Sequence, residues 1–243
     1  MVEPAVRFTG ITKRFPGVTA LNDVSFDVAP GSCHAVCGEN GAGKSTLGKI
    51  LSGLIQPDAG AMFLDGREAR FSSPRDALSA GVAMVHQELA LCENMTVAEN
   101  LCLGSLPARR FFVSRDRMNA RARELLATVG ADTDPSRPMD TLTVAEQQRV
   151  QIAAAVGSGA RVIVFDEPTS SLAEGEAEKL YALIGRLTAS GTTVIYVSHR
   201  MHEIFRLCDA VTVLRDGRHV DTRPIASLDE SAIVQRMIGR KLE

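Results

Sequence analysis

The sequence lacks a long hydrophobic run, a charge excess of either sign and an even set of cysteines, and each absence narrows what the chain can be. No apolar stretch approaches the roughly 18 residues of a membrane-spanning helix, and no secretory signal opens the chain. A cytosolic protein, or one peripheral to a membrane, is therefore expected. The 27 Lys and Arg nearly balance the 29 Asp and Glu, for a formal net charge of −2, which argues against broad nucleic-acid binding. One local basic run, Arg109, Arg110, Arg115, Arg117, Arg121 and Arg123, reads as the wet face of a helix whose buried side is Leu125, Leu126 and Val129. The cysteines, at 33, 37, 92, 102 and 208, are odd in number and scattered among apolar neighbours, as reduced thiols are, so no structural disulfide is expected. Cys33, His34 and Cys37 fall on one expected strand without a second cluster to complete four metal ligands, which favours core packing. His199 and His202 lie three apart, not at the i, i+4 spacing of a zinc helix. There is no internal repeat and no low-complexity linker.

What is present is organised around phosphate. The chain has 243 residues, of which 45% are hydrophobic, enough for the core of one large domain or two small lobes. Gly38-Glu39-Asn40-Gly41-Ala42-Gly43-Lys44-Ser45-Thr46 fits G-x-x-x-x-G-K-[ST]. A glycine-rich turn is the plain alternative. The context favours a phosphate loop: His34-Ala35-Val36-Cys37 reads as a buried strand before it, and Leu47, Ile50, Leu51 and Leu54 keep helical spacing after it. Such a loop closes backbone N–H groups around an anion at the N-terminus of a helix. Lys44 would bridge the β and γ phosphates, and the Ser45 hydroxyl would hold Mg²⁺.

A second acidic site supports that reading. Arg161-Val162-Ile163-Val164-Phe165-Asp166-Glu167-Pro168 is a continuous apolar run that suits a central parallel strand, with two carboxylates at its C-terminal end, where open α/β sheets bind ligands. Asp166 is placed to reach the magnesium shell, and Glu167 to orient or deprotonate the water that attacks the γ phosphate. Around these motifs, Val6 to Thr12 and Val24 to Val28 read as strands and Asp65-Gly66 as a hairpin turn, giving an antiparallel sheet beside the parallel core. Val82 to Val85 is a short strand ending at His86-Gln87-Glu88, and Asp116 to Val129 and Ala145 to Val156 are helices of an inserted lobe. A helix from about Glu174 to Ala189 leads to a strand, Thr192 to Val197, with Ser198-His199-Arg200 at its end.

This order of motifs resembles the ATP-binding cassette (ABC) family of transport ATPases along essentially the whole chain. The resemblance implies an α/β, P-loop NTPase fold: a RecA-like core with a mixed sheet and an antiparallel β subdomain over 1–88 and 158–225, a helical subdomain over 89–157, and a C-terminal helix over 226–243. It implies ATP and Mg²⁺ as cofactors, with Phe15 stacked on adenine, Gln87 in the magnesium shell and sensing the membrane partner, and His199 contacting the γ phosphate and supporting Glu167. Read from the residues alone, Phe15 could be a core aromatic, Gln87 a loop amide and His199 a strand-end cap.

The chain departs from the family at Leu142-Thr143-Val144-Ala145-Glu146, where the usual signature is L-S-G-G-Q. In the family this segment is presented across a dimer to the nucleotide held by the other subunit, and a Cβ at each glycine position hinders close approach to phosphate. Ala173, in Ser170-Ser171-Leu172-Ala173, stands where the family commonly has aspartate. The pattern looks like the first of two tandem cassettes of bacterial monosaccharide importers, an impression strengthened by Ser73-Pro74-Arg75-Asp76-Ala77-Leu78, Val85-His86-Gln87-Glu88-Leu89 and Thr96-Val97-Ala98-Glu99-Asn100. The sequence stops at Ile238-Gly239-Arg240-Lys241-Leu242-Glu243, about where a second cassette would begin, so half of a longer protein is expected. The implied partners are that second cassette, a transmembrane sugar permease and, indirectly, a periplasmic or extracellular sugar-binding protein, with the chain at the cytoplasmic face of the membrane and no nucleic acid. Two alternatives stand beside this: a non-transport cassette ATPase, and a regulatory nucleotide-binding half that turns over only with a partner.

Overall fold

The computed structural model describes residues 3–104, 106–109 and 112–238; Arg110 of the basic run and residues 239–243 of the expected C-terminal helix lie outside the described residues. The chain begins with β1 (Val6–Phe15), β2 (Val18–Val28), β3 (Cys33–Cys37), α1 (Lys44–Leu51), β4 (Ala59–Leu64), β5 (Arg67–Ala69), α2 (Pro74–Ser79) and β6 (Val82–Val85). There follow α3 (Val97–Leu101), β7 (Ala108–Arg109), β8 (Phe112–Val113), α4 (Arg115–Thr128) and α5 (Val144–Gly157). The last third holds β9 (Val162–Asp166), α6 (Glu174–Ala189), β10 (Thr193–Val197), α7 (Met201–Leu207), β11 (Ala210–Arg215), β12 (Arg218–Pro224) and α8 (Glu230–Ile238). These divide into two compact units, one made of the chain up to Met84, Ala160–Glu167 and the chain from Ile184, the other of Val85–Gly159 and Pro168–Leu183.

The first unit is built on two sheets. One has the order β12-β11-β3-β10-β9-β6 and the other β2-β1-β4-β5. Every residue of β3, β9 and β10 is buried, as continuous apolar runs demand of strands covered on both faces. These three strands are parallel neighbours, and β11 runs parallel on the other side of β3. In the second sheet β4 and β5 form a hairpin through Asp65 and Gly66, whose φ values of 46° and 74° make the two-residue turn that suits the strand twist. One apolar core joins Phe8, Ile11, Leu21 and Val24 of the antiparallel sheet, Leu47, Ile50 and Leu51 of α1, and Val36, Val164 and Val197 of the parallel sheet.

Two expectations are corrected here. Strand β2 starts at Val18, not Val24, because its first residues, Val18 and Thr19, are exposed and Val18 to Asp23 carry no period-two apolar signal, while the pairing Phe15↔Val18 continues the ladder to a tight turn at Gly17. Helix α1 ends at Leu51, so Leu54 is not on its buried face. Gly53, at φ 72°, turns the chain out of the helix, the Leu54 N–H returns to the Lys49 carbonyl at 2.9 Å, and Leu54 is 44% exposed. Between Arg200 and the expected C-terminal helix the structure adds α7, β11 and the antiparallel edge strand β12.

His34 is packing rather than ligand. Its Nε2 meets the Thr212 hydroxyl at 2.8 Å, its ring stacks on Phe26, and burial pushes its pKa down to about 4. The folded pKa lies below the unfolded value, so the stability owed to neutral His34 is complete above pH ~6.5 and lost as pH falls toward 4. The full loss is worth roughly 3 kcal/mol. Urea midpoints at pH 7 and 4.5 are expected to differ by less in His34→Gln than in the parent chain. An equal drop in both would show that His34 does not set the acid limit.

The second unit packs α3, α4 and α5 together with residues 174–183 of α6. In α4, Met118, Ala122 and Leu126 are buried while Arg115, Arg117, Arg121 and Arg123 are exposed, so these four arginines do occupy a solvated helix face. Among the described residues no helix is long and apolar enough to cross a membrane.

Candidate functional site

Register decides where the chemistry gathers. Val197 of β10 pairs with Val36 of β3 on one side and with Asp166 of β9 on the other. The residues that follow each of these positions therefore leave the sheet at one level of its C-terminal edge. They are the glycine-rich loop after β3, Glu167 after β9, and Ser198-His199 after β10. Side chains far apart in sequence meet because three parallel strands end together.

The loop needs its glycines for space. A Cβ on Gly38 would collide with the Leu214 carbonyl oxygen and sit 2.9 Å from the Ala42 Cβ. At Gly43, φ is 100°, and a Cβ would lie 2.5 Å from the Ala20 carbonyl oxygen and 2.6 Å from Leu21 Cδ2. Gly43 is also the N-cap of α1, so the helix starts where the loop ends, while Glu39, Asn40 and Gly41 form its exposed rim. Lys44, the first residue of α1, is buried with its Nζ donating to the carbonyls of Gly38 at 2.9 Å and Glu39 at 3.0 Å. Burial lowers its pKa, against the opposing pull of the Glu167 and Asp166 carboxylates.

Asp166 is buried at the end of β9 and accepts a hydrogen bond from the Ser45 hydroxyl at 3.2 Å. Its pKa is raised, chiefly by burial and further by the charge of Glu167, with the Ser45 bond working the other way. Among the described residues no group of three or more His, Cys, Asp or Glu could hold a metal ion. Ser45 and Asp166 instead offer two hard oxygens side by side, which fits Mg²⁺, an ion that is commonly held by one or two protein oxygens with phosphate and water.

Glu167 has a left-handed backbone, φ 46°, stabilised by its N–H donating to the Val197 carbonyl at 2.9 Å. A side-chain-bearing residue held there costs of order 1–3 kcal/mol, and such strain gathers at working sites. The twist brings Glu167 Oε1 to 2.9 Å from His199 Nδ1, joining the ends of β9 and β10. His199 thus does stand at a strand end, and what it meets there is a carboxylate. Phe15 is 43% exposed with Lys13 Nζ 5.6 Å from its ring centroid, which removes the core-aromatic alternative.

Gln87 and the signature segment belong to the second unit. Gln87 is exposed, just after β6. Thr143 caps α5 in a reciprocal box: its hydroxyl accepts from the Glu146 N–H at 3.3 Å, and Glu146 Oε2 accepts from the Thr143 N–H at 2.8 Å. Those bonds hold the Glu146 pKa down. Leu142 is buried, while Val144 is 54% exposed at the first helical position and Ala145 follows it. Sequence reasoning missed the clasp behind this segment. Buried Gln148 of α5 donates to the Pro168 carbonyl and accepts from the Ser171 hydroxyl at 2.7 Å, and Arg149 pairs with Glu176 at 2.5 Å. Three residues beyond Gln148, the Gln151 amide lies against His86, and with its nitrogen turned to the His86 carbonyl and its oxygen to the His86 N–H it bonds both, at 3.3 and 3.2 Å. The helix that follows the signature therefore fixes the loop after Glu167 and the residue beside Gln87. The trace in sequence was three glutamines, Gln147, Gln148 and Gln151, in a helix whose second half is apolar.

Comparison with known proteins agrees with this architecture. The chain is 50% identical to the ribose import ATP-binding protein RbsA 3 of Rubrobacter xylanophilus, over 99% of its length and 49% of that protein's. It is 48% identical to the arabinose import ATP-binding protein AraG of Chromohalobacter salexigens, over all of its length and 49% of that protein's. The chain thus spans about half the length of the curated relatives it matches. Among solved structures, a nucleotide-free ATP-binding cassette from an ABC transporter superposes with a TM-score of 0.82 at 24% identity, covering 97% of this chain and 99% of that one. The ADP conformation of MJ1267, another such cassette, gives 0.81 at 25% identity over 97% and 99%. The family model described as ABC transporter matches residues 21–170, more than half of the sequence, and with a P-loop cassette fold to carry it, the chain belongs to the ABC transporter family.

Proposed function

We propose that this chain is the ATP-binding and ATP-hydrolysing part of a bacterial importer for a monosaccharide, acting at the cytoplasmic face of the membrane. The observation that carries the hydrolytic part is the convergence of Lys44, Asp166, Glu167 and His199 at one sheet edge, with Glu167 Oε1 2.9 Å from His199 Nδ1. The sugar class rests on the ribose and arabinose import relatives.

In this reading the loop from Gly38 to Thr46 wraps the phosphates of ATP with its N–H groups, at the positive end of α1. Lys44 exchanges its two carbonyl partners, Gly38 and Glu39, for β and γ phosphate oxygens. Phe15, exposed at the end of β1, supplies a face for adenine. Ser45 and Asp166 would hold Mg²⁺, which when bound neutralises phosphate charge. Glu167 takes a proton from the attacking water or orients it, and His199 fixes Glu167 and offers its other ring nitrogen toward the γ phosphate. Catalysis is positioning and charge stabilisation rather than covalent chemistry.

The signature segment sets the partner. Within the segment Leu142, Thr143, Val144, Ala145 and Glu146, Val144 and Ala145 present Cβ atoms where close approach to a phosphate favours glycine. A cassette with an intact signature would complete the site built on this phosphate loop, and the pair would drive a membrane permease served by a sugar-binding protein. Steady-state ATP hydrolysis by the purified chain is expected to rise at least tenfold on mixing with such a cassette, given that one group contacting developing charge is commonly worth that much or more. Equal turnover alone and mixed would contradict the paired site and favour a self-sufficient homodimer.

A further inference from the structure

Glu203, on α7, has no place in the site described so far, and it is a fully buried carboxylate, 0% exposed. Burying a charge without partners is costly, so its surroundings show what it is built for. One oxygen, Oε2, accepts from the Tyr196 hydroxyl at 2.8 Å and from the Ser198 hydroxyl at 2.9 Å. The other, Oε1, faces Arg200 Nη1 at 3.5 Å and His202 Nε2 at 3.9 Å. Ser198 Oγ in turn accepts from the Arg200 N–H at 3.0 Å. This single hydroxyl therefore joins the carboxylate to the backbone on the far side of His199. The residues immediately before and after His199 are both pinned, and the anchor reaches back to Tyr196, which is buried in the middle of the sheet.

His199 itself is half exposed, and its ring meets Glu167 Oε1 at 2.9 Å. A half-exposed imidazole on a turn between β10 and α7 would sample several orientations if that turn were loose. The network around Glu203 removes the freedom at its base.

We propose that Glu203 is a positioning residue for His199, holding the turn Ser198-His199-Arg200 so that the imidazole meets Glu167 in one orientation. The proposal rests on the catalytic reading of Glu167 and His199 above. Glu203 touches no reacting atom; it acts through the backbone that carries His199. Displacing a catalytic group by a fraction of an ångström to an ångström costs turnover about ten- to a hundredfold without weakening substrate binding in proportion.

The test is a double-mutant cycle on the chain complemented with an intact-signature cassette, reading kcat and KM for ATP together with the melting temperature. Glu203→Gln is expected to lower kcat about ten- to a hundredfold with KM nearly constant. In a His199→Ala background the same substitution is expected to cost no further turnover, because the group it positions is gone. Ser198→Ala, which cuts the bridge and leaves the carboxylate, should move kcat in the same direction by less, and it carries the test where Glu203→Gln does not fold. Multiplicative losses in the double variant, or a normal kcat in folded Glu203→Gln or Ser198→Ala beside an impaired His199→Ala, would overturn the positioning role and leave the catalytic reading standing. A normal kcat in His199→Ala would overturn both.

Discussion

Glutamine at position 167 is expected to cut ATP hydrolysis by at least about a hundredfold while ATP binding stays intact, as is typical when one acid–base or electrostatic group is removed. The geometry makes the split between binding and turnover specific. Glu167 is aimed across to His199 Nδ1 at 2.9 Å, whereas the groups placed for phosphate, the loop N–H donors and Lys44, lie on other elements. Glutamine keeps the size and can keep a hydrogen bond to the imidazole, but it cannot accept a proton from water. Because the left-handed backbone is held by the Glu167 N–H and the Val197 carbonyl at 2.9 Å, the side-chain change leaves the turn in place. Rapid-quench turnover beside equilibrium binding of ATP reads both quantities. Normal hydrolysis by folded Glu167→Gln would send the search for the base elsewhere.

Alanine at position 44 is expected to act on the other quantity, weakening ATP binding about ten- to a hundredfold and lowering turnover with it, since a hydrogen bond from a charged donor is worth about 1.5–3 kcal/mol. The free protein should not suffer in the same way. The Lys44 ammonium is buried and its pKa is lowered by that burial, so part of the folded state's free energy is spent keeping a cation out of water. Removing it relieves that cost and leaves two carbonyl acceptors, Gly38 and Glu39, to find other donors. The melting temperature without nucleotide should therefore change little, while the stabilisation brought by saturating ATP shrinks. Arginine is not expected to rescue, because its planar fork does not fit where a compact ammonium lies against its own loop. If Lys44→Ala bound and hydrolysed ATP normally, the glycine-rich loop would not be the nucleotide site.

The two variants also separate the family's alternatives. A regulatory half that never turns over would respond to Lys44→Ala and be indifferent to Glu167→Gln. An ATPase completed by a partner responds to both, and to Glu167→Gln only when the partner is present.

Much of this was legible in the residues because it depends on short-range pattern. Continuous apolar runs announce β3 and β9; the glycines of the loop announce a backbone with positive φ, and Asp65-Gly66 announces a hairpin. Local pattern failed where the deciding partner was remote. Leu54 kept helical spacing, yet Gly53 stopped the helix first. The start of β2 has no apolar alternation, with Val18 and Thr19 exposed, and pairing with β1 makes it a strand. Glu203 looks in sequence like any acid in the first turn of a helix. Its burial by Tyr196 and Ser198 exists only once β10 and α7 are packed together.

The sequence by itself determined the glycine-rich loop, the acidic strand end and the altered signature segment, because a glycine, a lysine or a carboxylate carries its chemistry wherever the chain goes. Only the tertiary structure decided which of these meet. Val36, Asp166 and Val197 share one level across three parallel strands, so Lys44, Glu167 and His199 are gathered at one edge, and the buried clasp around Glu203 holds the turn that carries His199. The physical reason is that register and burial are properties of paired strands and packed faces, set by contacts between distant residues that no local window contains.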